Sequence, residues 1–222
     1  MPLLAAVIFD FDGVIMDSER AEYESHRRMY ERCGIDLTLA EWCNHVGLWS
    51  DQHNESWARQ LCTRTPLAPP PETYLLEKHR ILMEILPREP MAGIRDLVAR
   101  LSSAAVPIAV GSTSPANWVV PSLEVFALLN SFAAVVTGDD VRKRKPAPDI
   151  YVEAATRLSV DPARAVAIED SAPGLAAAKA AGMKVVAIPH HLTRTHDLSA
   201  ADLFVSHAGE VTLERLEQLF AP

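Results

Sequence analysis

The sequence predicts an α/β protein: a Rossmann-like parallel sheet flanked by helices, with a small helical domain inserted near the beginning of the chain. Six short apolar runs rich in β-branched residues recur along the chain, and helical patterns lie between most of them. The runs are continuously apolar and do not alternate, which is typical of strands buried on both faces of a parallel sheet. Strands and helices that alternate in this way assemble with right-handed crossovers.

The predicted strands are each bounded by polar residues or turn signals. In chain order they read AAVIFD, VPIAVGS, AAVVTGD, AVAIED, KVVAIPH and ADLFVSH. Helical periodicity appears in residues 92–103 and 147–160. The third helix, in residues 171–183, has Pro173 near its start and Gly182 just past its end, the usual asymmetry of a helix. The apolar stripes of the first two helices are formed by Ile94, Leu97, Val98 and Leu101, and by Ile150, Ala154, Ala155 and Leu158.

Residues 16–89 interrupt the alternation of strands and helices, because they contain no convincing strand. Their pattern predicts four helices, at 18–33, 39–45, 51–62 and 72–86. The Pro-rich stretch TPLAPPPETY is interpreted as a loop that leads into the last of them. We therefore predict an α/β catalytic core formed by residues 1–15 and 90–222, and a helical cap domain formed by residues 16–89.

The composition narrows the class of protein. The 222 residues are 49% apolar and 23% charged, as in an ordinary globular protein. The net charge of −8 argues against nucleic acid and anionic membrane surfaces as partners. Three cysteines without Cys-x-x-Cys spacing argue against a disulfide framework or zinc site and fit a reducing compartment. The first apolar run lacks a preceding basic region and ends at Asp10, so it resembles neither a signal peptide nor a membrane span. We expect a cytoplasmic protein.

Polar side chains follow the predicted strands, at the edge where an open α/β sheet binds its ligands. Asp10 and Asp12 follow the first strand, and Lys145 lies in the loop after the third. Carboxylates suit a hard divalent cation, whereas hydroxyls, backbone N–H groups and an ammonium suit phosphate oxygens. The sequence therefore predicts a cation and a phosphoryl group at this edge. The remaining polar residues there are Ser112, Thr113 and Ser114 after the second strand, and Glu169, Asp170 and Ser171 at the fourth.

Each of these features alone has a simpler explanation. An Asp-x-Asp after a strand is common in turns, and serines before a proline commonly cap a helix. Lys145 could be one more solvated base of RKRK, the interpretation we prefer for Arg142, Lys143 and Arg144. Asp170 and Ser171 could cap the Ala-rich helix. Taken together, in order and on one edge, the features favour a site.

The motifs DFDGVIMDSE, VGSTS, KPAPD and AIEDSAPGLAAAKAAGM resemble the four ordered motifs of the haloacid dehalogenase superfamily. The pattern is most similar to its β-phosphoglucomutase-like branch of phosphatases and phosphomutases, which carry a small helical cap. The motifs span nearly the whole chain. The resemblance implies an enzyme that transfers a phosphoryl group of a small phosphorylated metabolite with Mg²⁺.

The resemblance also implies roles for single residues. Asp10 would be the nucleophile that forms an aspartyl-phosphate, and Asp12 the general acid and then the base. Ser112 and the Thr113 backbone would bind the phosphoryl group, and Lys145 would neutralise Asp10 and the phosphate. The Mg²⁺ ligands would be Asp10, the Asp12 backbone oxygen, Asp170 and Glu169, the last either directly or through water.

Asp12 favours phosphoryl transfer over carbon–halogen cleavage, because halide leaves as an anion and needs no proton donor. The family's phosphonatases use a cap lysine for covalent chemistry. The cap lysine of this sequence, Lys78, is interpreted as a solvated or snorkelling residue, with a contact to substrate left open.

The cap favours a phosphatase over a mutase, with a sugar phosphate as a candidate substrate. Mutases carry an arginine after the glycine that matches Gly47, whereas this chain has no basic residue there before Arg59, and Pro115 replaces a second basic position. A β-phosphoglucomutase-like mutase remains the alternative, which a basic cap residue (Arg59, Arg64 or Lys78) facing the site would support. A non-catalytic phosphometabolite-binding protein is the third possibility. Trp42, Trp49 and Trp57 line a cap wall or pack the cap core. We expect a monomer or a weak homodimer.

Overall fold

The structure, a computed structural model, describes residues 4–43, 51–190, 192–193 and 196–221, and the backbone alone of 51–53. It divides into two compact units. The α/β unit contains the described residues up to Asp17 and from Arg88 onward, and the helical unit contains those between Ser18 and Pro87. The sequence predicts these boundaries between residues 15 and 16 and between residues 89 and 90.

The α/β unit is built on a six-stranded sheet with the order β3-β2-β1-β4-β5-β6. All strand pairs are parallel, as the continuous apolar runs predicted. Strand β1 lies in the interior of the sheet, between β2 and β4. Its residue Phe9 is in register with Val110 of β2 and with Ile168 of β4. The strands are β1 (Ala6–Phe9), β2 (Ile108–Gly111), β3 (Ala134–Val136), β4 (Ala165–Glu169), β5 (Lys184–Ala187) and β6 (Leu203–Phe204).

Helices connect these strands and pack their apolar faces on the sheet. The predicted stripe of the first helix after the helical unit is fully buried, and Ile150, Ala154 and Ala155 of a later helix join the core formed with Ile8 and Ala167. This arrangement confirms the predicted α/β class. The helices of this unit are α5 (Ile94–Ser103), α6 (Ala116–Val125), α7 (Asp149–Leu158), α8 (Ala172–Ala180) and α9 (Leu213–Gln218), with 3₁₀ turns at Leu129–Ser131, Pro162–Arg164 and Ala208–Glu210.

The helical unit contains α1 (Ser18–Arg32), α2 (Leu39–Cys43), α3 (Asp51–Arg64) and α4 (Pro71–Ile85), and no strand occurs in its described part. Its core is aromatic. The rings of Trp42 and Trp57 stack with centroids 5.4 Å apart, and His26 lies 5.3 Å from Trp42. Trp42 and Trp57 are buried, so of the two roles considered for them they pack this core, whereas Trp49 lies outside the described residues. Among the described helices, none is long and apolar enough to cross a lipid bilayer.

Candidate active site

The chain order of the sheet reverses between β1 and β4, and open α/β sheets bind ligands beyond the carboxyl ends of the strands at such a point. Asp10 directly follows β1, and Glu169 is the last residue of β4. The backbone N–H of Asp10 donates to the carbonyl of Ile168, which joins the two strand ends. The sheet topology therefore brings the first and last predicted motifs together.

Lys145 connects two buried carboxylates at this point. Its Nζ lies 2.7 Å from Asp10 Oδ1 and 2.7 Å from Glu169 Oε1. The Lys145 side chain is only 5% exposed, and its ammonium lies 4.8 Å from the centre of the Tyr151 ring. Lys145 is thus not a solvated base, unlike its exposed neighbours Arg142, Lys143 and Arg144.

Burial dominates the electrostatics of these groups. Burial raises the pKa of Asp10 from its ordinary value of 3.8 to about 7, Glu169 adds to the rise, and Lys145 opposes it. Burial works against protonation of Lys145, yet the carboxylates of Asp10 and Glu169 hold its pKa above the ordinary value. Burial, with Glu169 as the next cause, raises the pKa of Tyr151 well above its usual range.

Three buried carboxylates form a group that fits a divalent metal. Oxygens of Asp10, Glu169 and Asp170 all lie within 4.8 Å of one another. With Lys145 as the ammonium among them, three ionised carboxylates leave a formal charge of −2, which a divalent cation would balance. Carboxylate oxygens are hard ligands of the kind that Mg²⁺ and Ca²⁺ take. The donor set therefore suits a hard divalent cation.

Glu169 is also held by several protein donors. Its Oε1 accepts from Lys145 and from the Tyr151 hydroxyl. Its Oε2 accepts from the backbone N–H of Asp170 at 3.2 Å and from Ser171 Oγ at 3.2 Å. Ser171 also caps α8 by accepting from the Gly174 N–H, so the simpler explanation for this serine is correct. These bonds orient the carboxylate that holds Lys145.

Two glycines leave room for the acidic residues. Gly13 has φ +82°, and a Cβ atom there would overlap the Asp170 carboxylate. A Cβ atom on Gly174 would overlap the Glu169 carboxylate in the same way. Backbone therefore approaches both carboxylates more closely than any side-chain-bearing residue allows.

Asp12 has different surroundings from Asp10, although only one residue separates them. Ser114 Oγ donates to Asp12 Oδ2 at 2.6 Å, and Ser112 Oγ lies 3.4 Å from the same oxygen. The indole Nε1–H of Trp118 donates to Asp12 Oδ1 at 3.0 Å. Ser112 also accepts from the Ser114 N–H at 3.0 Å. The polar loop after β2 thus binds Asp12.

Asp10, Lys145, Glu169 and Asp170 form one cluster, and Asp12 and Ser112 form another. Thr113, in the same loop as Ser112, is half-buried. Sequence reasoning did not assign Trp118 or Tyr151 to the site, since each reads as an ordinary apolar helix residue. Ser114 carried a signal, because it stands two residues after Ser112 in a hydroxyl-rich loop.

In the helical unit, Lys78 is a correction to the sequence analysis. Its side chain is 5% exposed, and the residue is ion-paired with Glu22 and 3.4 Å from Asn54 Oδ1, so it is not solvated. The expectation failed because the partner Glu22 lies on another helix. Gly47 and the stretch around it lie outside the described residues.

Comparison with known proteins adds an independent finding. Residues 7–188 match the family described as haloacid dehalogenase-like hydrolase. A phosphorylated carbohydrates phosphatase of Thermotoga maritima is 31% identical over 217 residues, covering 97% of this chain and 96% of the relative. Hexitol phosphatase B of Escherichia coli is 30% identical over 188 residues, 84% of each chain. A crystal structure of a CbbY mutant from Rhodobacter sphaeroides with xylulose-(1,5)bisphosphate has a TM-score of 0.73 and 25% identity, covering 96% of this chain and 99% of that one.

Proposed function

This chain belongs to the haloacid dehalogenase-like hydrolase family, and from that premise we propose a Mg²⁺-dependent phosphatase that removes phosphate from a phosphorylated carbohydrate through an aspartyl-phosphate on Asp10. The Thermotoga maritima and Escherichia coli relatives are both named as phosphatases, and the chain is a phosphoric monoester hydrolase. The substrate class, the metal and the intermediate are the proposed parts. We further propose that the protein is cytoplasmic, which its three free cysteines support, and that it is a monomer or a weak homodimer.

The observation that carries the proposal is the contrast between the two aspartates. Asp10 lies against the Lys145 ammonium among buried carboxylates, whereas Asp12 is bound by hydroxyl and indole donors. A nucleophilic carboxylate needs cations to offset the charge of an approaching phosphoryl group. A group that donates and takes protons needs neutral partners that tolerate both of its states. Each aspartate has the surroundings of its proposed role.

In the first step, a carboxylate oxygen of Asp10 attacks phosphorus, so an O–P bond to Asp10 forms and the ester O–P bond breaks. Protonated Asp12 gives its proton to the leaving oxygen, which departs as the alcohol. Lys145 offsets the charge of Asp10 and of the transferring group, while Ser112 and the Thr113 backbone bind phosphoryl oxygens.

In the second step, Asp12 is a carboxylate and takes a proton from water as that water attacks phosphorus. The bond between phosphorus and Asp10 breaks, inorganic phosphate is released, and Asp12 is again protonated. The two steps together consume one water and regenerate the enzyme.

Asp10, Asp170 and the Asp12 backbone oxygen would hold Mg²⁺, with Glu169 contributing directly or through water. When bound, the ion supplies positive charge beside the phosphate oxygens. Lys145 and the backbone N–H of Asp170 hold the carboxylate of Glu169 in place.

The proposal favours a phosphatase over a mutase because the basic candidates of the helical unit have acidic partners. A mutase needs a cation for the second phosphate of its intermediate. Lys78 pairs with Glu22, and Arg64 lies 3.1 Å from Glu41. Arg59 lies 3.4 Å from Glu55, although that pair is exposed and correspondingly weak.

The test is a turnover assay on sugar and hexitol phosphates, with Mg²⁺ or with chelator, in which free phosphate and isomerised sugar phosphate are both quantified. Asp10→Asn, which keeps the size of the side chain, is the blank. We expect metal-dependent phosphate release by the unaltered enzyme and a loss of at least about 1,000-fold in the variant. Circular dichroism shows whether the variant stays folded.

Isomerised sugar phosphate in excess of free phosphate would contradict the proposal and show that the enzyme is a mutase. Unimpaired turnover by folded Asp10→Asn would exclude the aspartyl-phosphate. No product above the blank on any substrate, with a bound metal, would favour a non-catalytic binding protein.

A further inference from the structure

The surroundings of Asp12 are asymmetric in a way that the proposed two-step reaction leaves unexplained. Oδ1 accepts from the Trp118 indole at 3.0 Å, and Oδ2 accepts from the Ser114 hydroxyl at 2.6 Å. An indole N–H can only donate, whereas a hydroxyl can donate or accept. The two oxygens of Asp12 therefore have partners with different abilities.

The asymmetry favours one oxygen as the carrier of a proton. A proton on Oδ1 would make that oxygen a poorer acceptor and would weaken its hydrogen bond from the Trp118 indole. A proton on Oδ2 faces hydroxyls, which can turn to accept it. Oδ2 is also the oxygen 3.4 Å from Ser112 Oγ, the proposed phosphoryl-binding hydroxyl.

We propose that Trp118 is a positioning residue that keeps Oδ1 of Asp12 as an acceptor and so favours the catalytic proton on Oδ2, the oxygen on the Ser112 side. The inference rests on the proposed function, because it assigns Asp12 the proton transfer. In this role Trp118 acts through Asp12, and the role requires no contact between Trp118 and the substrate.

The backbones of Trp118 and Ser114 are held by hydrogen bonds that do not involve Asp12. The backbone N–H of Trp118 donates to the carbonyl of Pro115 at 3.0 Å, in the first turn of α6. Ser122 Oγ donates to the backbone carbonyl of Trp118 at 2.8 Å. The Ser114 carbonyl accepts from the Gly138 N–H at 3.0 Å. The backbones that carry both donors are therefore held by bonds that do not involve Asp12, as preorganised catalytic support requires.

The test uses two substrates that differ in their need for a proton. An alkyl phosphate such as a hexitol phosphate has a poor leaving group, whereas p-nitrophenyl phosphate releases a stable anion without protonation. Trp118→Phe keeps an aromatic ring and removes the N–H. We expect kcat/KM to fall at least about tenfold on the alkyl phosphate and less than about threefold on p-nitrophenyl phosphate, because general acid catalysis contributes about 10²–10⁴-fold in total.

Ser122→Ala is the matched control. It removes a hydrogen bond one turn further along α6, to Trp118 itself, without touching Asp12. We expect the ratio of the two kcat/KM values to stay at that of the unaltered enzyme. A double-mutant cycle completes the test: in Asp12→Ala, adding Trp118→Phe is expected to change alkyl phosphate turnover less than about twofold.

The inference is overturned if Trp118→Phe lowers kcat/KM equally on both substrates. It is also overturned if Trp118→Phe lowers alkyl phosphate turnover as much in Asp12→Ala as in the unaltered enzyme. Either result would show a merely structural role for Trp118. No activity of the unaltered enzyme on either substrate would instead overturn the proposed function. Should Trp118→Phe not fold, Trp118→Gln and Trp118→Leu replace it. The substrate ratio must then fall with Leu and be retained with Gln, which still donates.

Discussion

Lys145 is the residue on which the charge balance of the site depends. Its ammonium is 2.7 Å from both Asp10 and Glu169, in a place where all three side chains are almost fully buried. Ionised carboxylates brought this close repel each other unless cations lie between them. Burial, with the charge of Glu169 as the next cause, raises the pKa of Asp10 to about 7, and the single ammonium of Lys145 opposes this rise only in part.

This shift predicts how metal affinity depends on pH. A proton and a metal compete for Asp10, and the proton is retained below about pH 7. We expect metal affinity to rise about tenfold per pH unit up to about pH 7 and to level off above pH 8. Calorimetry in buffers of different ionisation enthalpy should find about one proton released per metal at pH 6 and close to none at pH 8.5. An affinity independent of pH between 5.5 and 7.5 would contradict this origin of the shift.

At the scale of the element, α8 depends on glycine at two places for different reasons. Gly174 lies in its first turn against the Glu169 carboxylate, and Gly182 lies past its end with φ +86° and no atom near its missing Cβ. The first glycine is needed for space and the second for backbone conformation.

We expect substitution by alanine to have different consequences at Gly174 and at Gly182. Gly174→Ala must displace Glu169, which removes one of the two partners of Lys145, so we expect kcat/KM to fall at least about tenfold. Gly182→Ala is the control, with a loss of about 1 kcal/mol in the free energy of unfolding and unchanged kcat/KM. Kinetics and urea unfolding of both variants measure this. Equal activity in the two would mean that the contact with Glu169 does not matter for turnover.

The strands and α8 could be predicted from the sequence, whereas contacts between distant segments could not. Continuous apolar runs predicted the six strands because parallel strands are buried on both faces, and Gly182 predicted the end of α8. The strand order and the bond from Trp118 to Asp12 could not be predicted, because they join segments far apart in sequence. Burial of Lys78 escaped prediction for the same reason, since its partner Glu22 lies on a different helix.

At the scale of the whole molecule, the proposed metal site joins distant parts of the chain. Asp10 comes from the first strand, and Asp170 directly follows the fourth. A ligand that binds only the folded state adds its binding free energy to the stability of that state. The metal should therefore stabilise the α/β unit as a unit.

We expect Mg²⁺ at a hundredfold excess over its dissociation constant to add about 2.7 kcal/mol to the free energy of unfolding of the α/β unit. Its melting temperature should rise by about 5–10 °C at neutral pH. Calorimetry with and without chelator measures the shift, and Asp170→Asn should abolish it. A shift that persists in Asp170→Asn would place the bound ion elsewhere.

The interior position of β1 has a consequence for synthesis of the protein. The ribosome makes this apolar strand first, but its neighbours begin only at Ile108 and Ala165. At about 5–20 residues per second, β1 waits roughly 5–20 seconds before β2 emerges, and longer for β4. During that interval an apolar strand with both edges open is a template for pairing with other nascent chains. β1 is therefore open to such pairing until β2 and β4, its two neighbours in the sheet, have been translated.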